Sequence, residues 1–95
     1  MNSCFIVGKI VEAPVICEES KRQTATMVID SLRPYAEMDG TFKKDRFTVR
    51  LWRGIADEVC ESAHVKDAVA IKGRIEMRED HPVIIAEHVS LVTCF

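Results

Sequence analysis

The chain has 95 residues, 47% apolar and 29% charged, which suits one modest hydrophobic core and excludes an intrinsically disordered polymer. A formal net charge of −2 excludes a strongly basic, indiscriminate polyanion binder. No apolar run approaches the roughly 20 residues of a membrane-spanning helix, so no membrane association is expected.

The chain reads as a single domain over residues 1–95. Its charge is uneven: residues 1–53 hold nine Lys/Arg against seven Asp/Glu, whereas residues 54–95 hold four against eight. Local fields, not totals, guide a charged ligand. The four cysteines, Cys4, Cys17, Cys60 and Cys94, form no Cys-x-x-Cys pair and have no histidine at ligand spacing. No metal site is therefore expected. No secretory leader is recognised before the first apolar segment. The expectation is a cytoplasmic protein with reduced, mostly buried thiols.

Asn2–Val11 is apolar and β-rich. Cys4, Ile6 and Ile10 fall on one face, Phe5, Val7 and Val11 on the other. A strand apolar on both faces is buried on both, and in so small a protein a second subunit can cover one of them. Gly8 permits a sharp bend, and Pro14 is expected to end or interrupt the strand. Residues 18–23 read as a polar turn. Thr24–Leu32 is the second strand, with Ala25, Met27 and Ile29 alternating against Thr26, Val28 and Asp30. A long loop over residues 34–44 follows, around Asp39-Gly40, with Tyr35 and Phe42 in it or at its edges. Long links between good strands are often functional.

The third strand, Asp45–Arg53, puts Phe47, Val49 and Leu51 on one face and Arg46, Thr48, Arg50 and Trp52 on the other. The first face joins a core. The second combines two guanidinium groups with the only tryptophan of the chain. One reading is a solvated strand face whose Trp52 folds over a neighbouring hydrophobe. The other is a platform for single-stranded nucleic acid, with cations for phosphates and a flat ring for bases.

Gly54 breaks the β pattern. Ile55, Ala56, Val59, Cys60 and Ala63 recur at helical spacing, giving one amphipathic helix of about three turns. Its acidic residues near the N-terminus are expected to suit the helix dipole. Ala68–Met77 is the fourth strand, with Val69, Ile71 and Ile75 inward and Lys72, Arg74 and Glu76 outward. Gly73 marks a bend or close packing. Residues 78–81 form a charged turn, and Pro82–Val92 is the fifth strand. The order β-β-β-α-β-β predicts an all-β chain. The expected architecture is a five-stranded Greek-key barrel with one helix between strands three and four, the arrangement of the OB-fold.

Three segments carry a resemblance. Met1-Asn2-Ser3 with Phe5-Ile6-Val7-Gly8-Lys9-Ile10 and Pro14 resembles the opening of bacterial single-stranded DNA-binding proteins. Leu51-Trp52 leading into Ile55-Ala56-Asp57-Glu58-Val59 is similar to their third strand passing into the helix. Val65-Lys66-Asp67-Ala68-Val69-Ala70-Ile71-Lys72-Gly73-Arg74-Ile75 is similar to their helix exit and fourth strand. The resemblance spans residues 1 to about 92. It implies an OB-fold that binds single-stranded DNA with little sequence preference, in replication, recombination or repair.

The departures sharpen this. Trp52 takes the place of one of the family's stacking rings. A second falls near Arg46, and a third near Asp80. Tyr35 stands as a loose substitute for another. Each lost stacking contact removes ~1–3 kcal/mol, which implies weaker binding that leans on Arg and Lys. The sequence ends at Thr93-Cys94-Phe95 without the family's acidic tip, so tail-mediated recruitment is not expected. Such a short chain is also similar to the primosomal replication protein N group, dimeric OB modules that bind single strands and partner proteins.

The candidate nucleic-acid contacts are Arg46, Arg50, Trp52, Lys72, Arg74, Lys43, Lys44 and Tyr35. They are expected around a groove formed by strands two, three and four and the loop at residues 34–44. Arg74 has a second reading, paired with Glu76 or Glu87. His64, His81 and His88 make no motif, and no arrangement argues for catalysis, a cofactor or a small-molecule substrate. A homodimer or homotetramer through the first strand is expected. The alternative function is an OB-fold adaptor or oligomeric scaffold with weak or no nucleic-acid binding.

Overall fold

The computed structural model describes residues 1–19 and 22–92. Five strands, β1 (Cys4–Glu19), β2 (Arg22–Leu32), β3 (Lys44–Leu51), β4 (Ala68–Arg78) and β5 (His81–Val92), close into a barrel in the order β1-β2-β3-β5-β4. One helix, α1 (Arg53–Ser62), separates β3 from β4. All neighbours are antiparallel except β3 and β5, which run parallel from Thr48↔Val83 to Arg50↔Ile85. A parallel pair needs a long crossover, and α1 with β4 supplies it. This is the expected OB-fold.

β1 serves two neighbours. Its first half pairs with β4 from Cys4↔Gly73 to Lys9↔Ala68, and its second half pairs with β2 from Lys9↔Asp30 to Glu19↔Arg22. The strand turns the barrel corner through register shifts between Ile10 and Glu12 and between Glu12 and Val15. Pro14 lies inside the second shift. It therefore does not end the strand, contrary to the sequence reading: a bulge is where a missing ladder N–H is tolerated. Of the turn expected at residues 18–23, Ser20 and Lys21 lie outside the described residues.

The two strand glycines mark close approaches. A Cβ on Gly8 would stand 2.5 Å from the Asp30 carbonyl oxygen, and one on Gly73 would collide with the Ile85 carbonyl. Beside Gly73 the ladder shifts register, leaving Glu87 as the extra residue of β5. The β4–β5 turn passes through Glu79 and Asp80, both at positive φ (49° and 67°), as a tight two-residue hairpin of the primed type requires.

The core is the inward alternation of the strands: Ile10, Met27, Ile29, Val49, Leu51, Val69, Ile71 and Ile84, all at 1% exposure or less. Ala56 and Val59 of α1 and its C-cap residue Ala63 join the same cluster, so the helix plugs one end of the barrel. Ile75 pairs with core Ile84 but lies toward the strand end and stays exposed. The helix starts at Arg53, with Trp52 as N-cap residue and Ala56 N–H donating to the Trp52 carbonyl at 2.8 Å. Its first turn therefore holds no acidic residue. The expected dipole complement is absent because Asp57 and Glu58 fall in the second turn, beyond its short reach.

Cys4 and Cys60 are thiols outside any disulfide, half-buried against the core, whereas the Cys17 side chain and Cys94 lie outside the described residues. Among the described residues no helix is long and apolar enough to cross a membrane.

Candidate nucleic-acid interface

Strand registry sorts the outward side chains into rows, because paired residues share a face. The first row is Lys9, Asp30 and Arg46 on β1, β2 and β3. The second runs Glu12, Val28, Thr48, Val83, Glu76. The third runs Val15, Thr26, Arg50, Ile85, Arg74. Down β3 this places Lys44, Arg46, Thr48 and Arg50 on one outward stripe, at a spacing of roughly 6.6–6.8 Å. The stripe ends at half-buried Trp52, where the chain leaves the strand and enters α1.

The expected face of Arg46, Thr48, Arg50 and Trp52 thus exists, with one change. Trp52 is not a strand residue but the helix N-cap, at φ −88° and ψ 165°. Its extended backbone carries the ring onward from the strand end.

The groove expected from strands two, three and four is assembled differently. β5, not β4, is the neighbour of β3. All four residues Val83–Ala86 are buried, and only Ile84 and Ala86 belong to the inner cluster. Val83 and Ile85 therefore form an outer apolar ridge, and Ile85 separates Arg50 from Arg74 in their shared row. A central strand covered on both faces explains why this run has no polar alternation.

Carboxylates hold several of the candidate cations. Arg46 donates to Asp30 through Nε at 2.8 Å and Nη2 at 3.2 Å. That hydrogen-bonded guanidinium holds the Asp30 carboxyl below its usual range. Arg74 lies between Glu76, 3.1 Å from its Nε, and Glu87, 3.7 Å from its Nη1. Arg78 shares Glu76 at 3.3 Å. The paired reading of Arg74 is thus the geometry found.

Lys72 stands apart. Its row neighbours are exposed Phe5 and His88, on the β1–β4–β5 side of the barrel. The fold does not bring it beside Arg50 and Trp52.

The loop after β2 is an ordered continuation of the hairpin. Arg33 N–H donates to the Lys43 carbonyl at 2.9 Å, and Glu37 N–H to the Thr41 carbonyl at 2.7 Å. The Arg33 guanidinium grips Asp45 with two bonds of 2.9 Å each. It lowers the Asp45 carboxyl and is itself stabilised in its charged form by Asp45 and then by Tyr35. Asp39 caps the tip, accepting from the Thr41 N–H at 3.0 Å and the Thr41 hydroxyl at 2.6 Å. On this frame Tyr35, Phe42, Lys43 and Lys44 are all exposed.

The fold also groups residues that the sequence reading left apart. Lys9, Lys44 and Lys66 line one cleft of about 660 Å³ with Val7, Leu32 and Val65. Lys9 and Lys66 lie 57 positions apart in a sequence that carries no signal joining them. What joins them is a backbone clamp: Lys66 N–H donates to the Ile10 carbonyl at 2.8 Å, and Ile10 N–H to the Asp67 carbonyl at 3.0 Å.

Against known proteins, residues 1–89 match the single-strand binding protein family. The chain belongs to this family. Among solved structures, the small single-stranded DNA-binding protein of Streptomyces coelicolor is similar at 21% identity and a TM-score of 0.80, over 97% of this chain and 95% of that one. The second single-stranded DNA-binding protein of Mycobacterium smegmatis is similar at 20% identity and a TM-score of 0.78, over 94% and 86%. The dimeric N-terminal domain of the PriB protein from Thermoanaerobacter tencongensis is similar at 16% identity and a TM-score of 0.72, over 97% of both chains. At these identities the structural likenesses speak for the fold. A comparison with curated protein sequences gives no match. This member of the single-strand binding family thus has a five-stranded barrel, its tryptophan at the β3–α1 junction and cations along β3.

Proposed function

We propose that this protein binds single-stranded DNA with little sequence preference along the outer face of β2 and β3. Membership of the single-strand binding family supports the ligand class. The observation that carries the site is the outward stripe of Lys44, Arg46 and Arg50 leading to Trp52. In this reading Trp52 stacks on a base, the cations neutralise phosphates, and Lys43 and Tyr35 extend the contact onto the hairpin. Arg74 contributes from across the Ile85 ridge, and Lys72 from the far side of the barrel only when the strand wraps around it. The protein acts as a binder rather than an enzyme, in DNA replication, recombination or repair in the cytoplasm.

It works as a homodimer or homotetramer assembled through β1. Phe5 and Val7 support this: they are 69% and 54% exposed on the outer face of β1, beside small Ala70 and Ser90 in the Val7 row. Isolated exposed apolar side chains are ordinary, but a strand face of them beside small residues suits a subunit contact.

The test is binding of oligo-dT, followed by quenching of Trp52 in the parent and by anisotropy of a labelled oligonucleotide in variants. The expected results are quenching on binding, a steep fall in affinity with salt, and at least about a tenfold loss in an Arg50→Ala, Trp52→Ala double variant. A double variant that binds as tightly as the parent at low salt overturns the site. The second reading, an adaptor or scaffold without nucleic-acid binding, is favoured by the carboxylates on Arg46 and Arg74. It is the outcome if oligo-dT leaves Trp52 fluorescence unchanged.

A further inference from the structure

The cleft of about 660 Å³ between the first half of β1, the β2–β3 hairpin and the turn after α1 has a definite chemistry. Its walls are apolar: Val7, Ile10, Val11, Leu32 and Val65. Its charged side chains are three lysines, Lys9, Lys44 and Lys66, and one carboxylate, Asp30. Arg46 already occupies that carboxylate from the neighbouring strand. That carboxylate is hydrogen-bonded to Arg46 and also attracts Lys44, which leaves three lysines in an apolar hollow against one shared anion. Such a site asks for a ligand with negative charge and a flat or apolar body.

The cleft is also built rather than incidental. The clamp between Lys66, Ile10 and Asp67 fixes the turn against β1. His64 N–H donates to the Asp67 carboxylate at 2.9 Å, tightening the same turn. Lys66 sits at φ 80°, a left-handed conformation that costs a non-glycine residue energy and persists where the surroundings over-determine it.

The cleft is continuous with the face described above. Lys9, Asp30 and Arg46 form one row, so Asp30 borders both, and Lys44 belongs to both. We infer that the cleft is a second nucleotide subsite, taking the stretch of single-stranded DNA that runs beyond Arg46. Lys9 and Lys66 hold its phosphates, and a base rests on Leu32 and Val65. A second copy of this chain suits the hollow less well: an identical surface would bring three further ammonium groups to it. The self-association face is centred on Phe5, further along β1, and Val7 borders both that face and the cleft. This inference rests on the proposed binding of single-stranded DNA and extends it.

The experiment compares two lengths of labelled oligo-dT on the full chain, about 4 and about 16 nucleotides, within the range of OB-fold site sizes. The variants are Lys9→Ala and Lys66→Gly, singly and together, glycine being chosen because it accepts the φ of 80°. The double variant is expected to lose about tenfold in affinity for the long oligonucleotide and to keep the parent's affinity for the short one. Its salt slope on the long one should be shallower by about 1.4, the share of two phosphate contacts. A parent that binds both lengths equally overturns the subsite, as does an equal loss on both lengths in the double variant, which would report the general field alone. A change in mass by light scattering would assign the cleft to a subunit interface and overturns it too. A parent that binds neither length defeats the DNA-binding reading itself; a parent that binds both, with unaffected variants, defeats only the subsite.

Discussion

Asp30 and Arg46 are register partners on β2 and β3, and their side chains close the pair with two hydrogen bonds of 2.8 and 3.2 Å. The carboxylate is the better shielded of the two, its side chain 19% exposed against 64% for Arg46. It occupies the guanidinium as a phosphate would. Strand binding at this point is therefore an exchange of one anion for another.

Replacing Asp30 by Asn should strengthen binding of oligo-dT by about two- to fivefold, since an exposed ion pair is weak. It should also steepen the salt slope by about 0.7, as one more cation meets phosphate. Anisotropy titrations over a salt series measure both. Unchanged or weaker binding would show that Arg46 takes no part.

The hairpin beyond β2 and β3 should loosen in acid. Asp45 is lowered by its bonds to Arg33, and Asp39 by its bonds to Thr41. A carboxyl lowered by folding stabilises the fold above its ordinary value of 3.8, and that contribution is lost as pH falls through the folded value. The melting temperature should hold down to about pH 4 and fall below it, and an Asp45→Asn variant should show a smaller fall. An equal fall in that variant would remove the Arg33–Asp45 pair as a cause.

Two glycines should respond to alanine with opposite signs. Gly73→Ala drives a methyl into the Ile85 carbonyl, backbone against backbone, and should cost about 1–3 kcal/mol. Gly54, in the first turn of α1, has nothing within 4 Å of an added Cβ, so Gly54→Ala should stabilise by about 0.4–1 kcal/mol. Denaturant midpoints give both values. A neutral Gly73→Ala would mean that β4 and β5 part at little cost.

Self-association should fail when the outer face of β1 is charged. Phe5→Glu is expected to give monomers by light scattering at micromolar concentration while the far-ultraviolet circular dichroism stays unchanged, because Phe5 is outside the core. A parent that is already monomeric would remove β1 as the contact.

Much of this was written into the chain locally. Alternation assigned Met27, Ile29, Val49 and Leu51 to the core, because a period of two and burial of one face leave a strand no other solution. The same alternation set Arg46, Thr48 and Arg50 outward, and Gly73 marked a position where neighbouring backbones approach, whereas Gly8, read as a bend, is a second such approach with the barrel corner a few residues beyond it. Local pattern could not say which strands are neighbours. That β5 lies between β3 and β4, that Asp30 faces Arg46, and that Lys72 sits beside Phe5 follow from registry. Registry is a property of the closed barrel. The helix start was likewise misread by two residues, because capping by Trp52 uses its backbone alone and leaves no signature in its side chain. Lys9, Lys44 and Lys66 are the clearest case. Each is an ordinary surface lysine in its own segment, and only the backbone clamp between Ile10 and Lys66, with the hairpin folded beside it, makes them one site.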